Sequence, residues 1–204
     1  MIYTKFEKDC RIKASFAELI QSPVIICVND FTSETLANFG MDLCNARSSG
    51  QDVIPIVIDS IGGLAYSAFA MGDLLKTIDK PICTIVLGKA MSCGVYLATL
   101  GSPGLRFIAP SAAMMIHEVG VENMGGSASM LVNESTEIKR LSDLMLYEIA
   151  KNSGHPSTFF IDKLKTNNNN DLYLTAQEAV SFGLVDKIKL PTFSVNVGLT
   201  MGIE

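Results

Sequence analysis

The chain has 204 residues, 48% of them apolar, 7% aromatic and none tryptophan, with a formal net charge of −5. That length suits one substantial domain, packed mainly by small and branched side chains, and the acidic balance excludes nucleic acid as the main partner, because no basic stripe offsets phosphate repulsion. The five cysteines (Cys10, Cys27, Cys44, Cys83, Cys93) form no C-x-x-C pair and suit reduced thiols, and two histidines cannot build a zinc cluster.

The opening "MIYTKFEKDCRIKAS" mixes charges and lacks an apolar centre, so it does not read as a signal peptide. No apolar run reaches the ~20 residues of a membrane span. The expectation is a soluble protein of the cytoplasm.

"PVIICVND" from Pro23 reads as a buried strand. Thr32 or Ser33 is placed to cap the helix "SETLANFGMDLCNAR", whose Leu36, Phe39 and Leu43 recur at helical spacing. "SSGQD" is a loop, and "VIPIVID" from Val53 is a second strand. The turn Ser60-Ile61-Gly62-Gly63 follows, then a helix with Ala68, Met71, Leu75 and Ile78 on one face. "KPICTIVL" is a third strand, "GKAMSCG" a small-residue turn and "GVYLATLG" a short helix. "RFIAPSAAMMIHEVG" carries a fourth and a fifth strand.

Beyond the Gly/Ser-rich "ENMGGSASM", a long helix is predicted from Ala128 to Asn152, with Leu131, Ile138, Leu141, Leu144 and Ile149 as its apolar positions. Gly154 and Pro156 supply the stop. His155, in that stopping turn, reads as solvated. "LKTNNNND" is a turn-rich polar tract, and "LTAQEAVSFGLVDKI" is a short helix closing into a strand. No linker interrupts the pattern, so residues 1–204 read as one domain, with residues 1–22 as an N-terminal segment and 187–204 as a tail without assignment.

Strands alternating with helices imply parallel β-α-β units with right-handed crossovers, an α/β fold to which the long helix is an appendage. In such folds ligands meet the carboxyl ends of strands. Two turns there are unusual. Gly62-Gly63 leaves backbone N–H groups uncovered, and Ala90-Met91-Ser92-Cys93-Gly94 presents a serine at a helix start, in the manner of a relaxed nucleophile elbow. A serine nucleophile needs a base, and His117 ends the apolar run "AAMMIH" near the same edge. Asp171, between the polar tract and "LYL", is a candidate to orient that base.

Taken singly, each element has an ordinary reading. Ser92 fits a helix cap, His117 a structural strand-end histidine, Gly62-Gly63 a plain turn and Asp171 a surface position. Taken together, "DSIGG" (Asp59–Gly63), "GKAMSCG" (Gly88–Gly94), "MMIHE" (Met114–Glu118) and "DLYLTAQEAVSFGLVD" (Asp171–Asp186) resemble the successive signatures of the ClpP peptidase family, in the family's order. The similarity runs from about Val24 to Asp186.

The resemblance implies a ClpP/crotonase-type α/β fold of repeated ββα units with a protruding handle helix, here residues 128–152. It implies Ser92 as nucleophile, His117 as general base and Asp171 as its orienting acid. The N–H groups of Gly63 and Cys93 become an oxyanion hole, and Leu64, Ala65 and Gly120 become substrate-binding positions. "ENMGGSASM" matches the strand and turn beside which substrate adds as a β-strand. The implied activity is serine endopeptidase cleavage of unfolded polypeptides inside two stacked heptameric rings of this chain. The implied partner is an AAA+ unfoldase, and ATP enters only through it, with no cofactor or metal on the chain itself.

Several positions depart from the family. Ile61 replaces the usual proline, which would preset φ in the glycine turn. Asn169 and Asn170 stand where many members carry an acidic–Arg pair for ring contact. Pro55 and Val57 replace aromatics that line the unfoldase docking pocket, and Cys93 replaces a common Met. Competing readings are a catalytically idle ring subunit, a crotonase-type acyl-CoA enzyme that would need only the two N–H groups, and a Ser/Lys peptidase using Lys89. An α/β-hydrolase would place its acid before its histidine, which this order does not.

Overall fold

A computed structural model describes residues 23–120, 126–168 and 170–193. The N-terminal segment, the first four residues of "ENMGGSASM", Asn169 and the tail from residue 194 lie outside the described residues.

Seven strands, β1 (Ile26–Val28), β2 (Ile54–Ser60), β3 (Ile82–Met91), β4 (Arg106–Ile108), β5 (Ala113–Ile116), β6 (Leu172–Thr175) and β7 (Lys187–Ile188), form one sheet. Its main path is β1-β2-β3-β4-β7, parallel throughout. The apolar runs of β2 and β3 are nearly continuous because both faces carry apolar clusters: Ile54, Ile56, Ile58 and Val86 are fully buried in the main core, and Cys83, Ile85 and Phe107 form a smaller cluster with Val57 and Leu87.

β3 is long enough to carry two neighbours along one edge. Thr84–Val86 pairs with β4, and Lys89–Met91 pairs with β5. The sheet therefore forks, and β6 adds to the outer side of β5 as an antiparallel partner.

The described residues form six helices: α1 (Ser33–Ser48), α2 (Ala65–Lys76), α3 (Cys93–Thr99), α4 (Ala128–Asn152), α5 (Phe159–Thr166) and α6 (Ala176–Ser181). Thr32 caps α1, its Oγ1 accepting the Thr35 N–H at 3.1 Å. Thr175 and Glu178 close a capping box on α6. Helix α3 is buried along its whole length, which explains its Gly and Ala content.

The long helix spans the residues that its pattern predicts, but it is packed unevenly. Its buried residues, from Leu141 to Ala150, all lie in the second half, whereas Met130 and Val132 are exposed. The first half stands off the core, as an appendage should.

The structure corrects two expectations. The start of "LKTNNNND" is helical, as the end of α5, held by buried Phe160 and Leu164; eight residues are too few to display a period. His155 is not solvated. Its ring stacks on Phe159 at 3.8 Å, and its Nε2–H donates to the Phe182 carbonyl at 3.1 Å. No helix among the described residues is long and apolar enough to cross a membrane.

Candidate active site

The carboxyl ends of β2, β3 and β5 lie side by side at one edge of the sheet. Each delivers one candidate group: the glycine turn after β2, Ser92 after β3 and His117 after β5. Antiparallel β6 begins beside the end of β5, just after Asp171.

Ser92 has φ 54° and ψ −118°, a conformation that L-residues avoid without compensation. It occupies the N-cap position of α3, yet its side chain makes no capping bond. Its backbone is pinned instead, the N–H donating to Met115 O at 2.8 Å and the C=O accepting from Val95 N–H at 3.0 Å. The hydroxyl thus turns away from the helix and meets His117, with Oγ and Nε2 2.8 Å apart. A serine proton within reach of an imidazole nitrogen is the geometry that general-base activation requires.

The two glycines are dictated by close approach. A Cβ on Gly62 would lie 2.8 Å from Ser92 Cβ and 3.2 Å from Met91 O. One on Gly63 would lie 2.6 Å from Phe31 O. Phe31 bridges to this turn, its carbonyl accepting the Leu64 N–H at 2.7 Å. Neither the Gly63 N–H nor the Cys93 N–H has a backbone or side-chain acceptor among the described residues. The latter is an orphan donor because it opens a helix.

The Cys93 side chain is 1% exposed, and its Sγ–H donates to the Gly63 carbonyl at 3.4 Å. Burial pushes this thiol up. It is held as a protonated donor rather than as a second nucleophile. Lys89 is engaged elsewhere, its Nζ 3.0 Å from Asp59 Oδ1.

Asp171 is placed differently. Ile116 pairs with Leu172, so the register carried one residue further sets Asp171 across from His117. Its side chain is nevertheless exposed, and no hydrogen bond or ion pair joins it to His117. The backbone carbonyl of Asp171 accepts from Asn167 Nδ2 at 3.3 Å, within the polar turn that precedes β6.

Of the substrate-binding candidates, Leu64 is 56% exposed beside the glycine turn, and Ala65 is buried as the first residue of α2. Gly120 is exposed at the end of an extended segment that is tied to α4 by the Val119 N–H donating to Ser142 Oγ at 3.1 Å. An open hollow of about 900 Å³ is lined by Leu64 together with Asp30, Thr32, Asn38 and Met41, and neither Ser92 nor His117 lines it. Pro55 is buried, and Val57 packs against Cys83, Ile85 and Phe107. Asn170 is exposed, its N–H donating to Asn167 O at 3.0 Å.

One functional contact escaped the sequence. Ser60, fully buried, accepts the Gly62 N–H on its Oγ at 3.0 Å. A serine two residues before a glycine turn is a common local motif, and that was the available signal. A family model described as Clp protease matches residues 7–191 of the chain.

Proposed function

This chain belongs to the Clp protease family, and on that premise we propose that it is a serine endopeptidase acting through Ser92 and His117. The observation that carries the proposal is the 2.8 Å contact between Ser92 Oγ and His117 Nε2, made by a serine whose backbone is strained at φ 54°. A capping or merely structural serine has no use for that strain.

In the proposed reaction Ser92 Oγ attacks a peptide carbonyl while His117 Nε2 takes the hydroxyl proton. The oxygen that becomes negative is met by the N–H groups of Gly63 and Cys93. His117 then returns its proton to the leaving amine, and the C–N bond breaks to leave an acyl group on Ser92. Water attacks this ester, His117 takes the water's proton, and Ser92 is regenerated with release of the acid. Asp171 orients the imidazole and stabilises its charged form. The strand register supports that role, and the acid must swing toward His117 to perform it.

Exposed Leu64 and the segment leading to Gly120 flank the reacting bond, where an extended polypeptide could add as a strand. The scheme uses no cofactor. The exposed first half of α4 suits the handle of a ring assembly, two stacked heptamers enclosing the sites, fed with unfolded chains in the cytoplasm by a separate AAA+ unfoldase.

One observation favours a second reading. Because Asp171 is not joined to His117, the chain also fits an idle ring subunit that serves an active sister protein.

The test is cleavage of a short fluorogenic peptide and of an unfolded protein, wild type against Ser92→Ala, with and without an unfoldase. Fluorophosphonate labelling runs in parallel. Cleavage and labelling that both vanish with Ser92→Ala support the peptidase; labelling that survives the substitution overturns it. Pure wild type that assembles but never labels supports the idle subunit.

A further inference from the structure

The amide between Gly62 and Gly63 carries the N–H assigned above to the oxyanion hole, and side chains brace its neighbours on both sides. Before it, the Gly62 N–H donates to Ser60 Oγ at 3.0 Å. After it, the Gly63 carbonyl accepts from Cys93 Sγ at 3.4 Å, and the Leu64 N–H donates to Phe31 O at 2.7 Å. The amide unit in the middle therefore presents a free donor between two fixed peptides.

The turn needs such bracing. Gly62 and Gly63 sit at φ +107° and +150°, with no side chain to restrain them. Ile61 carries no ring to lock φ, and its side chain is 69% exposed. Coupled rotation at two adjacent glycines can turn the intervening amide over. That would place a carbonyl oxygen where the N–H belongs, so a stabilising donor would become a repelling acceptor. Ser60 is 0% exposed and Cys93 1% exposed, so water does not compete for either bond.

We propose that Ser60 and Cys93 are positioning residues that together hold the Gly62–Gly63 amide in its donating orientation. Cys93 thus acts twice, supplying one N–H itself and steadying the other through its thiol. The inference rests on Ser92 being the nucleophile, as read above.

The experiment compares wild type with Ser60→Ala, Cys93→Ala and the double variant. It measures kcat and KM on a fluorogenic peptide, inhibition by a peptide boronate that forms a tetrahedral adduct on the serine, and the thermal midpoint. Ser60→Ala should lower kcat about 10- to 100-fold with KM within about twofold, since misaiming a donor costs somewhat less than deleting it. Cys93→Ala should lower kcat about tenfold or less. Boronate affinity should fall in step with kcat/KM, which loss of folded protein alone would not produce. If Ser60→Ala does not fold, Cys93→Ala carries the test alone.

Folded variants that match wild type in kcat and boronate affinity overturn the inference, and so does a loss confined to KM. Wild type that neither labels with a fluorophosphonate nor cleaves overturns the nucleophile assignment and this inference with it. Wild type that does both, beside unaffected variants, overturns this inference alone.

Discussion

The serine end of the site and its acid end are built to different standards. Ser92 and His117 leave adjacent parallel strands, with Met91 paired to Met115 and the Ser92 N–H bonded to Met115 O at 2.8 Å, so the sheet itself sets their spacing. Asp171 instead enters a four-residue antiparallel strand from a turn of asparagines in which Asn168 has φ 55°. Among the described residues no cation pairs with it.

Asp186, in the same C-terminal segment, shows what a fully held aspartate looks like here. Arg106 reaches it through Nε at 3.2 Å and Nη2 at 2.6 Å, and the Arg106 backbone N–H adds a third bond at 2.9 Å. Burial alone raises this carboxyl, but the Arg106 hydrogen bonds and charge outweigh it and hold it below its ordinary 3.8. The lesson is that an acid is fixed where a guanidinium and a backbone donor converge. Asp171 has neither among the described residues, so its carboxylate is left unclamped.

The largest effect that bears on this contrast is at the built end. Ser92→Ala should reduce peptide cleavage by about 10⁶-fold, to background, measured as steady-state release of a fluorogenic leaving group. Asp171→Ala should cost less, about 10²- to 10⁴-fold in kcat with the fold intact by circular dichroism. A loss as deep as that of Ser92→Ala would show the acid to be as firmly placed as the serine. An unchanged rate would remove it from the mechanism.

At the held aspartate, Arg106→Ala should destabilise the fold by about 2–4 kcal/mol in urea titrations, because it strands a part-buried carboxylate and frees the Asn152 and Gly183 carbonyls. The linked acid dependence has a definite sign. A carboxyl lowered in the folded state contributes stability at neutral pH and loses it as pH falls below 3.8, through the folded value. Wild type should therefore lose stability in that window more steeply than Arg106→Ala, and equal slopes would mean that Asp186 is not held as described.

The smallest effect belongs to Tyr66. Its hydroxyl donates to Glu137, which Arg140 also grips at 2.7 and 2.8 Å, linking α2 to the exposed half of α4. Tyr66→Phe should leave the thermal midpoint nearly unchanged while speeding amide exchange in the first turns of α4. Unchanged exchange would show that the link does not steady the helix.

Much of this was legible beforehand. The apolar runs of β2 and β3, the ends of α4 and the small-residue corner at Ser92 follow from periodicity, capping and steric demand, all of which act within a few residues. Thr32 capped its helix as its residue type suggested. Helix α5 and the stacking of His155 were not legible, because both depend on Phe159, Phe160 and Phe182 meeting across the chain.

By itself the sequence determined the alternation of strands and helices and the set of groups able to do serine chemistry, because those properties reside in local backbone sterics and side-chain type. Tertiary structure alone decided that β3 would fork to place β5 beside Ser92, that Ser60 and Cys93 would brace the glycine turn, and that Asp186 rather than Asp171 would be clamped. Those outcomes turn on distances between residues far apart in the chain, and only the register of a packed sheet fixes such distances to within a hydrogen bond.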